Sequence, residues 1–521
     1  MTADRQKSSS LRGGVFWSLL SFVGSKALTF IATLVLARLL APSEFGVLAA
    51  VLAFITLLEL ISDLGMKATV IYESEEGITR RVHTAFTLNL LFTAFLTVLA
   101  VLLGPSIADF FGAGSDTILF QIAALDLLLR GLGNIHDALL LRDMEFRRRM
   151  IPVLVSNLIR GVATILLAVA GLGASALVIG FIIGSAVWTV TLWIVKPFWP
   201  NLTIQRSAIR GIATYGGWAS VLAVFAALTQ RADVAVIGSA LGARALGLYT
   251  IAQRLPELIV GNVTWNLSIV AFPALSQRRD QADGRLTDTT LNLIRYSALF
   301  GMTIGAGMAV LATPLVVVLF SEKWLEAGAI MTPLAIMYGL VCIVFPLGDT
   351  FKALGRQPTM VVVNAITLPI AVGAMLLAAP AGIVAVAWAR LGVTAAQGVV
   401  WIVLISRVLD LRLATVAGML RPACAAASGV ALSGIAVRTA LPEPSVGPLV
   451  LAALVSGIGG LITLRVFASR EYAELHDLLH RRVLSTSLAP ARWRSSPPIA
   501  PVEIEQTAEL GTERGGPQPP P

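Results

Sequence analysis

Ionisable side chains are rare in this sequence, and several stand inside long apolar runs. The bases so placed are Lys26, Arg130, Arg160, Arg254, Arg295 and Arg390; the acids are Glu59, Asp63, Asp126, Asp137, Glu257 and Asp349. A charge at the centre of a membrane helix costs about 3 kcal/mol or more, so each is a functional candidate. A guanidinium suits one chemistry above others, because its planar fork of donors matches phosphate oxygens. Bases at membrane depth therefore read as a cationic cavity for a phosphorylated, membrane-borne molecule. Lys26, Arg160 and Arg390 have no opposite charge close in sequence and are the first candidates to line it. Arg130 and Arg254 are candidates with a structural rival. Asp126 lies four residues before Arg130 and Glu257 three residues after Arg254, spacings at which charges on one helix face neutralise each other. Asp63 and Asp349 are candidates for binding a coupling proton or sodium ion. Near the ends of their runs, they and Arg295 can also snorkel to water.

Stepping outward from these residues, the composition fixes what must hold them. The 521-residue chain is 56% hydrophobic and 13% charged, with a mean hydropathy of +0.82, against about 25% charged residues in a soluble domain. Its natural solvent is lipid. Apolar stretches of roughly 20 residues without period-2 alternation predict helices rather than barrel strands. The expected fold is an all-α polytopic membrane protein with about fourteen transmembrane helices, the first at 15–37, the seventh at 212–230 and the eighth at 246–272. The expected organisation is an N-terminal segment 1–14, a first lobe 15–205, a second lobe 206–410 and two further spans within 411–467. An amphipathic surface helix follows at 468–484, then a Pro-rich disordered tail at 485–521. The run from Val15 to Ala37 is too long for the apolar core of a signal peptide and reads as the first span.

Loop charges order the spans. One side holds Arg5, Lys7 and Arg12, then Lys67, Arg80 and Arg81, then Arg142 and Arg147 to Arg149, and so on to the arginines of the tail; the other holds only Arg38, Arg231, Arg244, Lys323 and Arg438. The positive-inside rule places the first side, with both termini, in the cytoplasm. The turn between the seventh and eighth spans is poorly marked and is read at Arg231 and Asp233. Trp17, Trp193, Trp199 and Trp324 near span ends fit an interfacial aromatic belt. Cys342 and Cys424 read as small buried apolar residues, and no disulfide or metal framework is implied. His476 and His480 share a helical spacing but lack a third ligand. The net charge of +9 is explained by topology, and no compact basic domain is present to bind nucleic acid. No phosphate-binding loop, nucleophile with its base, or loop long enough for a catalytic domain is visible, so an enzyme is not expected.

An internal repeat is visible. Arg12-Gly13 precedes the first span and Arg210-Gly211 the seventh; after these spans come LLAPSEFGVL (39–48) and ALGARALGLY (240–249), in which Leu40 and Gly46 match Leu241 and Gly247. Six spans followed by six in the same orientation predict a pseudo-twofold axis along the membrane normal. At these residues the chain resembles the bacterial polysaccharide transporters, the O-antigen and exopolysaccharide flippases of the multidrug/oligosaccharidyl-lipid/polysaccharide superfamily. Segment 10–65, with the turn from Ala37 to Gly46, carries most of the likeness, echoed at 231–249, FPALSQ (272–277) and LGDTFKALGR (347–356), over about the first 410 residues. The resemblance implies two six-helix lobes, an alternating-access cycle and a lipid-linked (undecaprenyl-pyrophosphate) oligosaccharide moved between leaflets of the bacterial inner membrane, with proton or sodium coupling. Polysaccharide polymerase and export machinery would be its partners. A multidrug or cation antiporter of the same superfamily, a lipid II flippase and a membrane glycosyltransferase or polymerase are the alternatives. The topology has a direct check: alkaline phosphatase fused after Leu441 is expected to be active, and fused after Phe467 inactive.

Overall fold

The computed structural model describes residues 2–63, 78–201, 206–279, 285–441 and 444–474. It divides into two units, Met1–Ser469 and Arg470–Pro521. The second is described only to residue 474, where Arg470 pairs with Glu474 at 3.2 Å. The expected disordered tail, most of the surface helix, His476 and His480 lie outside the described residues.

The first unit is built of long helices. They are α1 (Thr2–Leu39), α2 (Pro42–Asp63), α3 (Ile78–Phe110), α4 (Leu125–Arg142, preceded by Thr117–Ala123), α5 (Phe146–Val169) and α6 (Ala174–Val195). Then come α7 (Arg206–Pro256), α8 (Asn262–Arg278), α9 (Arg285–Val310), α10 (Leu325–Ala353), α11 (Gln357–Ala378), α12 (Ile383–Val408), α13 (Arg421–Ala440) and α14 (Val446–Phe467). Among the described residues, thirteen segments are long and apolar enough to cross a membrane. One of them, Arg231–Arg278, is 48 residues long and contains Gly242, whose φ of 78° and ψ of 179° are not helical. Glycine tolerates this geometry because it has no Cβ. The limb of α7 before Gly242 is thus the seventh span, and the limb after it runs through a π-turn at Glu257–Gly261 into α8 as the eighth. This corrects the expected turn: Arg231 and Asp233 lie within the helix, and the chain reverses about ten residues later. Most side chains of 212–230 lie outside the described residues.

The matching turn in the first lobe is specified locally. Pro42 begins α2, where its missing N–H is no loss. Glu44 Oε2 accepts from the Ala41 N–H at 2.5 Å, satisfying the donor just outside the helix. Each turn is followed by a glycine that permits a crossing. A Cβ on Gly46 would lie 1.7 Å from the carbonyl oxygen of Ala243, and one on Gly247 would lie 1.7 Å from that of Pro42. The two contacts are related by the sequence repeat itself. The rest of the packing repeats too. In the first lobe α1 packs on α5, α5 on α6, α6 on α4 and α4 on α3; in the second, α7 packs on α11, α11 on α12, α12 on α10 and α10 on α9. The fold is therefore six helices used twice, joined where α2 crosses the second limb of α7. Helices α13 and α14 pack on each other and on α9, with Gly429 and Gly459 at their crossing.

The two lobes are also tied at the end bearing these turns. The last carbonyls of α1 have no partner within their own helix, and the second lobe supplies donors. Trp324 Nε1 reaches the Ala37 oxygen at 2.7 Å, and Lys323 Nζ reaches the oxygens of Arg38 and Leu40 at 2.7 and 3.0 Å. Trp324 is fully buried and meets the Phe45 ring edge-on. It is a packing and capping residue rather than part of an interfacial belt, which corrects that expectation. At the opposite, basic end an ionic lattice joins α4, α5 and α6. Lys196 reaches Asp143 at 2.5 Å and Glu145 at 3.3 Å, and Arg149 grips Asp137 through two bonds of 2.6 and 3.1 Å. The hydrogen bond to Asp143 holds the Lys196 ammonium protonated above the usual lysine range. Cys342 is buried against Thr264, but Cys424 is exposed on α13, so only the first fits the expected burial; an outward face of a membrane helix supplies its apolar surroundings from lipid.

Close crossing at Gly46 and Gly247 gives a stability prediction. Gly46→Ala and Gly247→Ala should each cost about 1–3 kcal/mol by overpacking. Because both act on one crossing, the double variant should cost less than the sum. Thermal unfolding of the purified protein in detergent reads both effects, and unchanged midpoints in the single variants would contradict the crossing.

Candidate functional site

A cavity of about 290 Å³ lies between the lobes, lined by α1, α2, α5 and α6 on one side and the second limb of α7 on the other. Two arginines reach it from opposite lobes: Arg160 of α5 and Arg254 of α7. Arg160 gets there by running over Gly184 of α6, where an added Cβ would stand 2.8 Å from the Arg160 Cβ. Its Nη2 donates to Asn157 Oδ1, and Asn157 Nδ2 donates in turn to Ser25 Oγ at 2.8 Å. The guanidinium is thus steered by a neutral amide anchored to α1, and no carboxylate pairs with it among the described residues. Arg254 makes no ion pair among the described residues either. Glu257, which is exposed in the π-turn, forms no ion pair with it, so the expected i, i+3 neutralisation is not made as a direct contact. Thr29 and Thr33 complete the α1 wall. Lys26 stands one turn nearer the basic end, on the face shared by positions 29 and 33. It does not line the cavity itself, and its ammonium lies 5.6 Å from the centre of the Phe22 ring.

Arg130 is placed otherwise. Its Nε bonds Asp126 Oδ2 at 2.8 Å, and its Nη1 lies 3.4 Å from Glu59 Oε1. The Asp126 side chain is fully buried, whereas Glu59 is about one third exposed. Phe181, a cavity wall residue, lies 5.5 Å from the Arg130 guanidinium and 5.9 Å from that of Arg160. Arg130 thus stands behind the cavity, its charge spent on two carboxylates and its face against an aromatic ring that also meets Arg160.

Arg390 on α12 is not in this cavity. Its Nε is buried with no hydrogen-bond partner among the described residues. A second polar group lies inside the second lobe. There Tyr249 donates to the buried Asp233 carboxylate at 3.0 Å, and Gln253 Nε2 donates to Tyr338 Oη at 2.8 Å. Asp349 is buried rather than at a wet span end: Ser268 donates to one of its oxygens, and Lys352 lies 3.1 Å from the other. Neighbouring helices close over it, so it does not snorkel. The side chain of Asp63 lies outside the described residues. Sequence reasoning missed Asn157, Phe181 and Tyr249. Only Asn157 left a signal, an amide three residues before an isolated arginine in an apolar run.

Helical lobes repeated in one orientation around a shared cavity define a multi-pass membrane protein of transporter architecture. The chain belongs to the polysaccharide biosynthesis protein family, whose profile matches residues 35–329. It is 28% identical over 335 residues to the succinoglycan biosynthesis transport protein ExoT of Rhizobium meliloti (strain 1021), covering 63% of this chain and 66% of that protein. It is 22% identical over 345 residues to the lipopolysaccharide biosynthesis protein WzxC of Escherichia coli (strain K12), covering 66% and 70%. The chain thus spans about two thirds of the length of these relatives. Among solved structures, the lipid II flippase MurJ in an inward closed conformation aligns with a TM-score of 0.70 at 16% identity, covering 88% of this chain and 99% of that one. The expected family and all-α polytopic fold hold.

The ion triad can be tested separately from transport. Asp126→Asn leaves the half-buried Arg130 with only its longer, partly exposed partner and should destabilise the protein by about 1–3 kcal/mol. Glu59→Gln should cost distinctly less. Thermal midpoints in the same detergent rank the two, and the reverse ranking contradicts the placement of Asp126 as the buried partner.

Proposed function

We propose that this protein is a flippase of the bacterial inner membrane that moves a lipid-linked oligosaccharide, carried on undecaprenyl pyrophosphate, from the cytoplasmic to the periplasmic leaflet. The observation that carries this reading is the pair Arg160 and Arg254, two cations that line one cavity from different lobes and have no carboxylate partner among the described residues. A diphosphate is the small dianionic group whose oxygens such guanidinium forks match. Each charge-assisted contact contributes about 1.5–3 kcal/mol. A cavity of about 290 Å³ takes a headgroup rather than a chain of sugars, so the glycan and the polyprenyl tail extend beyond it. A multidrug pump for cations is disfavoured by the same two charges. The names of the relatives, one a transport protein for succinoglycan and one a lipopolysaccharide biosynthesis protein, support a saccharide cargo.

Alternating access then has a physical form. With no cargo, the two arginines repel and hold the cavity walls apart; a diphosphate bridging them removes that repulsion and draws the lobes together. The Lys323 and Trp324 caps on α1 close the opposite end in the present state. The basic end is assigned to the cytoplasm by the positive-inside rule. A proton or sodium gradient is the proposed drive, and polymerase and export machinery on the far side the proposed consumers.

The experiment is leaflet transport of a labelled undecaprenyl-diphosphate oligosaccharide in proteoliposomes, with and without imposed proton and sodium gradients. Wild type is expected to transport. Arg160→Ala and Arg254→Ala should each lose about tenfold or more, the equivalent of at least one charge-assisted contact, while Arg160→Lys should retain part of the rate. Lys26→Ala should have a smaller effect, since Lys26 lies below the cavity. Full rates in both arginine-to-alanine variants would remove the cavity from the mechanism, and movement of lipid II alone would transfer the protein to that cargo.

A further inference from the structure

One residue holds a backbone shape that its own side chain resists. Ser321 joins the short helix Ala312–Phe320 to the tight turn Glu322–Trp324, and it does so at φ 107° and ψ 168°. That region is open to glycine and nearly closed to any residue with a Cβ. Met144 and Asp410, the other non-glycine residues with positive φ among the described residues, sit at 53° and 51°. Those values belong to the left-handed basin that L-residues do visit. The Ser321 side chain gains nothing from its position, since its oxygen is buried with no hydrogen-bond partner among the described residues. Its peptide groups make ordinary bonds, from its N–H to the Val317 oxygen at 3.0 Å and from the Trp324 N–H to its own oxygen at 3.1 Å.

The shape is imposed from the other lobe. Three residues before Ser321, the Val318 oxygen accepts from Arg38 Nη2 at 3.4 Å. One residue before it, Phe320 is fully buried and meets Phe30 of α1 edge-on. Two and three residues after it come Lys323 and Trp324, which donate to the last carbonyls of α1. Both flanks of Ser321 are thus pinned to the first lobe, and the single residue between them must span what the pins leave. The short helix cannot slide to relieve it, because it is set tightly on α10: a Cβ on Gly328 would stand 2.7 Å from the Cα of Thr313. A strained residue persists only where its surroundings over-determine it, and here the surroundings that do so belong to a body that can move away.

We infer that Ser321 is a strained hinge that biases this end of the molecule towards opening: contact with α1 forces the shape on it, and parting of the lobes lets it relax. The closed end is then a balance, with the α1 contacts on one side and the Ser321 backbone on the other. The inference rests on the alternating-access reading for the motion alone and not on the cargo.

The test uses the full-length protein in detergent, without cargo, and reads thermal unfolding together with hydrogen–deuterium exchange at amides 36–41 of the first lobe. Glycine ordinarily lowers stability by enlarging the freedom of the unfolded chain. Ser321→Gly is nevertheless expected to unfold at a higher temperature than both wild type and Ser321→Ala, which loses the stranded hydroxyl but keeps the Cβ. Exchange at 36–41 should slow about tenfold in Ser321→Gly, the size of effect that one such backbone shape commands. The decisive comparison is with Lys323→Met and Trp324→Phe combined, which removes the donors but keeps the bulk of both side chains. In that background Ser321 is already free to relax, so Ser321→Gly should raise the midpoint distinctly less. Three results would overturn the inference: a midpoint for Ser321→Gly below that of Ser321→Ala, an equal gain in both backgrounds, or a raised midpoint with unchanged exchange at 36–41, each of which makes the shape harmless or permanent. Absence of exchange at 36–41 in every variant would remove the motion itself, and the alternating-access reading with it, whereas an error in the cargo alone leaves all these readings unchanged.

Discussion

Backbone contact at two glycines sets the relation between the lobes. Where α2 crosses the second limb of α7, each helix presents a glycine to a carbonyl of the other, and no side chain separates them. Lipid offers no hydrophobic drive to bring helices together, so such contact and the dispersion it allows must supply the association. Because the contact is made twice through related residues, it lies on the pseudo-twofold axis. Everything else in each lobe is hung from it: the order of neighbours around α5 and α11, the alignment of the two α-helical turns, and the width of the space beneath. Arg160 and Arg254 face a common cavity only because this crossing holds their helices at a fixed offset.

Charge compensation divides the partly buried bases into two kinds. Arg130 and Arg149 are gripped by carboxylates at hydrogen-bonding distance. Removing a partner from such a pair leaves a stranded charge, which is why these groups maintain the fold. Among the described residues Arg160 has a neutral amide but no carboxylate, and Arg254 has no ion-pair partner. A cation left this way in a low-dielectric site retains most of its attraction for an incoming anion. Phe181 joins the two kinds, since its ring touches the compensated Arg130 and the uncompensated Arg160. Displacement of Arg160 toward an anion would be felt by the ion triad through that ring.

Much of this was legible in the sequence because lipid makes composition informative. Helices, their approximate number and the alternation of basic loops follow from the cost of burying charge and unpaired backbone, and the repeat of LLAPSEFG in ALGARALG marks the two glycines that cross. The turn after the seventh span was misplaced because Arg231 and Asp233 read as a polar loop, whereas Asp233 is inside the helix and satisfied by Tyr249. A hydroxyl sixteen residues away, beyond a chain reversal, leaves no mark in local hydropathy. Arg254 is obscured for a similar reason: an acid at i, i+3 reads as its neutralising partner, whereas Glu257 is exposed and forms no ion pair with it. Trp324 has the sequence position of an interfacial residue, but its partner is a helix end in the other lobe, which local hydropathy does not mark.

The α1 terminus has a consequence for solvent. Its last carbonyls are satisfied by an indole and an ammonium that belong to the opposite lobe. Any motion that parts the lobes at that end strips three oxygens of their donors at once. Hydrocarbon cannot replace them, so water must enter as the contact breaks. Opening at this end is therefore a hydration step as much as a rotation, and its barrier includes the admission of molecules that count against osmotic stress.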